Sequence, residues 1–229
     1  MIKLSDISEI SNKMDVSEKF KSIKPAEKMT DQEADDFWTS EFDKVHDETE
    51  IDPYDKLLSE VFNRTEDELN IEFDIDEKIN SILERFKPEN WDEMNESHQL
   101  SALKELAQTV GEKLGLDRIP SISFFEEDGG AFGDYDPANN VINLNKSYFN
   151  DSREVVNTLT HELRHAFQHF RAEILDTWED ALFRVNFDNY ISPLPLPGGG
   201  WLFITDYMDQ YVEVDARAFA NLFTEAMKI

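Results

Sequence analysis

The residues of this chain best suited to chemistry are two histidines four apart with a glutamate beside the first, His161-Glu162-Leu163-Arg164-His165. On a helix that spacing puts both imidazoles on one face, one turn apart, where two neutral rings can share a metal ion. Glu162 then lies beside the ion. Zinc lowers the pKa of its water toward neutrality, and a neighbouring carboxylate takes the proton during attack on a carbonyl. His161 and His165 therefore read as zinc ligands and Glu162 as the general base of a hydrolase. The plainer reading is a surface helix with histidines placed by chance. The setting argues against it: the motif falls in an amphipathic stretch, and three of the chain's five histidines fall within nine residues.

The third of these, His169, continues the spacing. On a straight helix it lies about 12 Å along the axis from His161, at ~1.5 Å per residue, so the three cannot meet at one ion. Ala166-Phe167-Gln168 contains no glycine to turn the chain. His169 thus reads as a surface residue or one that supports a ligand. A catalytic zinc usually takes three protein ligands and keeps one position open, so a carboxylate must come from elsewhere. Tyr211-Val212-Glu213-Val214-Asp215-Ala216 supplies one, followed by small residues at 216, 218 and 220 that permit close helix approach. Glu213 and Asp215 point about 200° apart on a helix, at ~100° per residue, so only one can face the ion. Glu213 shares its face with Ala216 and Ala220 and has the longer reach. It is the expected ligand, with Asp215 orienting a ligand histidine. The plain alternative for Glu213 is an exposed pair with Arg217 one turn on.

The elements that must place these groups are legible from periodicity. Asp151 is set to cap the motif helix, with Glu154 three residues on as its capping-box partner. Val156, Leu159, Leu163, Ala166 and Phe170 form its apolar stripe. Upstream, Leu100, Leu103, Leu106, Val110 and Leu114 repeat at helical steps and Gly115 stops them. Residues 119–125 read as a strand. Residues 129–145 read as a hairpin whose second strand, Val141–Asn145, leads into the motif helix. Its Asp136-Pro137-Ala138-Asn139-Asn140 connection reads as a turn; a calcium loop would need an oxygen ligand where Ala138 stands. Next comes a helix through Trp178, Leu182 and Val185, then a break over residues 192–200, then a last helix from about Asp206.

The chain has 229 residues, 22 of them basic and 50 acidic, for a formal net charge of −28. That balance disfavours nucleic acid and anionic membranes, while a cationic substrate or partner is compatible with it. There is no cysteine, so disulfides and thiolate metal sites are out. No apolar run is long enough to span a membrane. Met1–Asp6 lacks the apolar core of a secretory signal. A cytoplasmic protein is expected, with a signal-less route of export left open. Residues 31–76 carry eighteen acids against three basic residues. With clusters such as Phe37, Trp38, Phe42 and Val45, and then Leu57, Leu58, Val61 and Phe62, they read as a mainly helical, solvated arm. The division expected is an acidic N-terminal region over 1–90 and a catalytic domain over 91–229, with removal of residues 1–76 leaving a folded, zinc-binding unit.

Thr160–Gln168 with Glu213-Val214-Asp215-Ala216 downstream resembles the gluzincin metallopeptidases, most nearly the minigluzincins and the ImmA/IrrE-like peptidases. The resemblance covers roughly residues 91–229 and, more loosely, extends to peptidase-like proteins of prophages and mobile elements. In that group a glutamate three residues before an alanine on a later helix is the third ligand, and Glu213 stands three before Ala216. The resemblance implies an α+β fold: a compact zincin-like domain with a small twisted sheet on the motif helix and an edge strand beside the cleft. Val141–Asn145 is the candidate edge, suited to binding an extended peptide or protein substrate by strand addition. It also implies a donor to the developing oxyanion. Tyr207 and Tyr211 are the candidates, with Tyr211 assigned the catalytic role; a buried structural tyrosine is the alternative for each. The expected activity is zinc-dependent endopeptidase hydrolysis. Two alternatives stand beside it: a non-catalytic binding or structural protein, and an enzyme covered by its own acidic arm.

Overall fold

The computed structural model describes residues 53–61, 69, 71–195 and 200–228. The cluster Phe37, Trp38, Phe42 and Val45 and the segment 196–199 lie outside them. Among the described residues the helices are α1 (Pro53–Val61), α2 (Glu77–Leu83), α3 (Pro88–Trp91), α4 (Glu96–Lys113), α5 (Ser152–Ile174), α6 (Trp178–Asp188), α7 (Ile204–Met208) and α8 (Tyr211–Ala226). The strands are β1 (Ser121–Phe125), β2 (Gly133–Asp136), β3 (Val141–Asn145), β4 (Leu194–Pro195) and β5 (Trp201–Leu202). This is a mixed α+β architecture. No helix among the described residues is long and apolar enough to cross a membrane.

The sheet order is β1-β3-β2, with β3 parallel to β1 and antiparallel to β2. Val141–Asn145 is therefore the central strand, not the edge expected for it. Its alternation buries Ile142 and Leu144 against the core, which is why it is sandwiched while the polar Gly-Asp-Tyr-Asp strand β2 takes the edge. Gly133 allows that edge to lie close to α5: a Cβ there would stand 2.7 Å from both the Asn143 carbonyl oxygen and the Thr158 methyl. Asn145, 1% exposed, fastens the loop before β2. Its amide donates to the Glu127 and Ala131 carbonyls, and its oxygen accepts from the Glu127 N–H. The 137–140 connection is a turn, with Asp136 Oδ1 accepting the Ala138 and Asn139 N–H groups.

Helix α5 starts where its cap predicts. Asp151 Oδ1 accepts the N–H groups of Arg153 and Glu154, satisfying two of the orphan donors at a helix start. The reciprocal bond expected of Glu154 is not what its carboxylate makes; it accepts instead from Thr158 Oγ1 at 3.4 Å. Val156, Leu159 and Leu163 are fully buried. The helix carries buried polar residues beside them, Thr160, Glu162, Arg164 and Gln168, because α8 and α6 cover its second face. Ala216 and Ala220 on α8 are fully buried, which lets the two helices come together.

The boundary expected at 90/91 cuts through the core. Ile79, Ile82, Leu83 and Phe86 are buried in the same cluster as Trp91, Leu103, Leu159 and Phe219, with Ile71, Phe73 and Ile75 packed against it. Phe73 meets Phe219 edge-on at 5.0 Å. Val61 of α1 is fully buried against Ala181, Leu182 and Val212. The acidic side chains of this stretch face outward while its apolar period faces in, so composition alone hid its membership of the core. The break after α6 also differs in detail. The expected last helix is two, because Gln210 ends the first and begins the second. Its amide donates to the Ile191 and Tyr207 carbonyls and its oxygen accepts from Ile191 N–H and Asn186 Nδ2.

Candidate metal centre

Three donor groups converge between α5 and α8. His161 Nε2 and His165 Nε2 are 3.0 Å apart, Glu213 Oε2 is 3.4 Å from His161 Nε2, and Glu213 Oε1 is 3.6 Å from His165 Nε2. One ligand atom from each lies within 4.8 Å of the others. A tetrahedral ion with bonds of about 2.0–2.1 Å has ligand atoms about 3.3–3.4 Å apart, so the observed spacings bracket the zinc value. The chemistry of the donors fits as well. Gln168 Nε2 donates to the Val212 carbonyl at 2.9 Å and to Asp215 Oδ2 at 2.6 Å, which fixes its oxygen as the atom facing His165 Nδ1 at 2.8 Å. Nδ1 must then carry the proton, and neutral His165 presents the lone pair of Nε2 to the cluster.

The electrostatics also favour positive charge at the centre. Burial acts to lower the His165 pKa, but the hydrogen bond and charge of Glu213 prevail and raise it to about 9. Burial acts to raise Glu213, yet hydrogen bonds from His161 and His165 hold its carboxyl well below the usual carboxylate range. Glu162 is 7% exposed and is not one of the three converging donors; it lines the adjoining cleft. Burial pushes its carboxyl up, toward the range useful to a general base.

Asp215 is placed differently from its expected role. It receives Arg164 Nε at 2.6 Å and a second guanidinium N–H at 2.8 Å, and the residue between it and His165 is Gln168. Tyr211 does not reach the site. Its ring is 2% exposed and stacks on Phe183 at 5.6 Å, and its hydroxyl donates to Glu179 Oε1 at 3.2 Å. Because the helix restarts at Tyr211, Tyr207 and Tyr211 do not share one stripe, and only Tyr207 faces the cleft. The tyrosine that sequence reasoning missed is Tyr190, whose hydroxyl donates to Glu213 Oε1 at 2.6 Å; burial first, then Glu213, raises its pKa, and the same holds for Tyr207. No periodicity marked Tyr190, which sits where the helical pattern runs out before the prolines. His169 lies in the cleft wall, stacked on Phe187 at 3.8 Å, and burial lowers its pKa to about 4.

The cleft beside the cluster has a volume of about 370 Å³ and runs from the edge strand β2 to Tyr190 and Tyr207. No protein-family model, no curated protein and no solved structure matches this chain.

Proposed function

We propose that this chain is a zinc-dependent hydrolase of peptide bonds. The observation that supports it most is the convergence of His161, His165 and Glu213 within 4.8 Å beside a buried, cleft-lining Glu162. A purely structural site has no need of that fourth group. On this reading His161, His165 and Glu213 hold the ion, as the gluzincin resemblance implies. When bound, zinc supplies a Lewis acid that lowers the pKa of water and polarises a carbonyl. Glu162 accepts the proton released in the attack and passes it to the leaving amine. Gln168 keeps the proton of His165 on Nδ1 and its lone pair on the ion. Tyr207 and Tyr190, whose hydroxyls gather at Glu213, are placed to donate to the oxygen on which charge develops. The outer edge of β2 has no partner strand among the described residues, and an extended peptide can pair there.

Of the alternatives, cover by the acidic arm finds no support among the described residues. None of those between 53 and 76 lines the cleft, and Asp74 and Asp76 are engaged by Lys113. The test is Glu162→Gln beside the wild type, each assayed for zinc content and for cleavage of a peptide library. One zinc per chain in both, with hydrolysis reduced about 10²–10⁴-fold in the variant, is the expected result. Equal cleavage rates, or no bound zinc in the wild type, would reject the proposal.

A further inference from the structure

The cleft is shaped for more than a generic peptide. Its walls are aromatic: Tyr135 from β2, His169 from α5, Phe187 from α6, Tyr190, and Tyr207 from α7. Tyr135 turns its hydroxyl away, to Asn140 Oδ1 at 3.0 Å, so the cavity meets its ring. Tyr190 and Tyr207 stand edge to face at 6.1 Å, with their hydroxyls at Glu213. Rings in this arrangement suit either an apolar side chain or the stem and head of a cationic one.

Charge decides between the two. No lysine or arginine among the described residues lines the cavity, whereas Asp134, Glu162 and Glu213 do. A divalent ion held by the histidines and Glu213 would be balanced by Glu162 and Glu213. Asp134, an exposed residue of the edge strand, has no basic partner among the described residues and is held by Asn143 Nδ2 at 2.9 Å, an interaction that orients the carboxylate without neutralising it. A net charge of −28 over the chain draws cations toward the cleft from a distance. We infer that this cavity is a specificity pocket for a basic side chain, and that the substrates are peptides with lysine or arginine next to the scissile bond. The aromatic walls take the aliphatic stem and face the cation, and Asp134 pairs with its head. This inference rests on the proposed zinc-hydrolase reading of the same site.

The test uses peptides identical except at one of the two residues flanking the central bond, where lysine, arginine, norleucine or glutamate is placed in turn. Cleavage is followed with the zinc-loaded wild type and Asp134→Asn. Binding of the same peptides is followed by fluorescence anisotropy with Glu162→Gln, alone and combined with Asp134→Asn, at low and high salt. Lysine or arginine should exceed norleucine by roughly two- to fivefold in both readouts, as an ion pair with a solvent-exposed carboxylate would give. The advantage should shrink with salt and fall to near parity in Asp134→Asn. Asp134→Lys should move the preference to glutamate. Binding preference without any cleavage would support the pocket while ending the hydrolase reading. Norleucine bound and cut as well as lysine, or a lysine preference that survives Asp134→Asn, would overturn the inference.

Discussion

Asp215→Ala separates a structural from a metal-binding role on the last helix. In the folded chain Asp215 is 1% exposed and Arg164 is 7% exposed. Two short charge-assisted bonds join them, and Gln168 adds a third to the carboxylate. Phe167 and Phe219 flank the guanidinium at 4.6 and 5.3 Å, so water cannot readily replace the lost partner. Removing one member of such a pair leaves an uncompensated buried charge and costs about 3–5 kcal/mol. That is a large part of the ~5–15 kcal/mol that holds a domain folded. At a urea dependence of about 2 kcal/mol per molar, the unfolding midpoint should fall by roughly 1.5–2.5 M. The double variant Arg164→Met with Asp215→Leu removes both charges and should recover most of the loss. Zinc affinity, measured well below the midpoint, should fall by no more than ~10–100-fold, because Asp215 acts on His165 only through Gln168. A midpoint shift under about 0.5 M together with a larger loss of zinc affinity would refute this account and exchange the roles of Asp215 and Glu213.

Glu213→Ala should weaken zinc binding by more than the ~10–100-fold commanded by supporting residues, as read by competition with a chelating dye; an unchanged affinity would remove α8 from the centre. Gln168→Leu, close to it in volume, should weaken zinc binding about 10–100-fold by freeing the His165 tautomer, and an affinity equal to wild type would show that the ring needs no such support. Removal of residues 1–76 should yield a markedly less stable protein, since Ile71, Phe73 and Ile75 leave the core at a cost of about 3–5 kcal/mol together; a truncated protein with the full-length unfolding midpoint would contradict it.

The clustering of the candidate donors was legible in the linear sequence because a helix repeats on a short scale. His161 and His165 share a face at any four-residue spacing, Asp151 caps the helix that begins beside it, and the buried stripe of α5 comes from its period. Glu213 was reachable for a related reason: two carboxylates two residues apart cannot face the same way, and the small residues at 216 and 220 mark the side of closest approach. What the sequence did not contain was the partner of each remaining group. The edge of the sheet depended on strand order, which pairs β3 with both neighbours and leaves β2 beside the cleft. Tyr190 reached Glu213, and Tyr211 turned to Glu179, because Gln210 breaks the terminal helix through contacts with a residue nineteen positions earlier. Ile71 to Phe86 entered the core although the surrounding stretch is acidic, because burial tracks the inward face of a segment and not its mean charge. Each of these was decided by contacts between residues far apart in the chain, where local propensity is silent and packing and hydrogen-bond satisfaction select the arrangement.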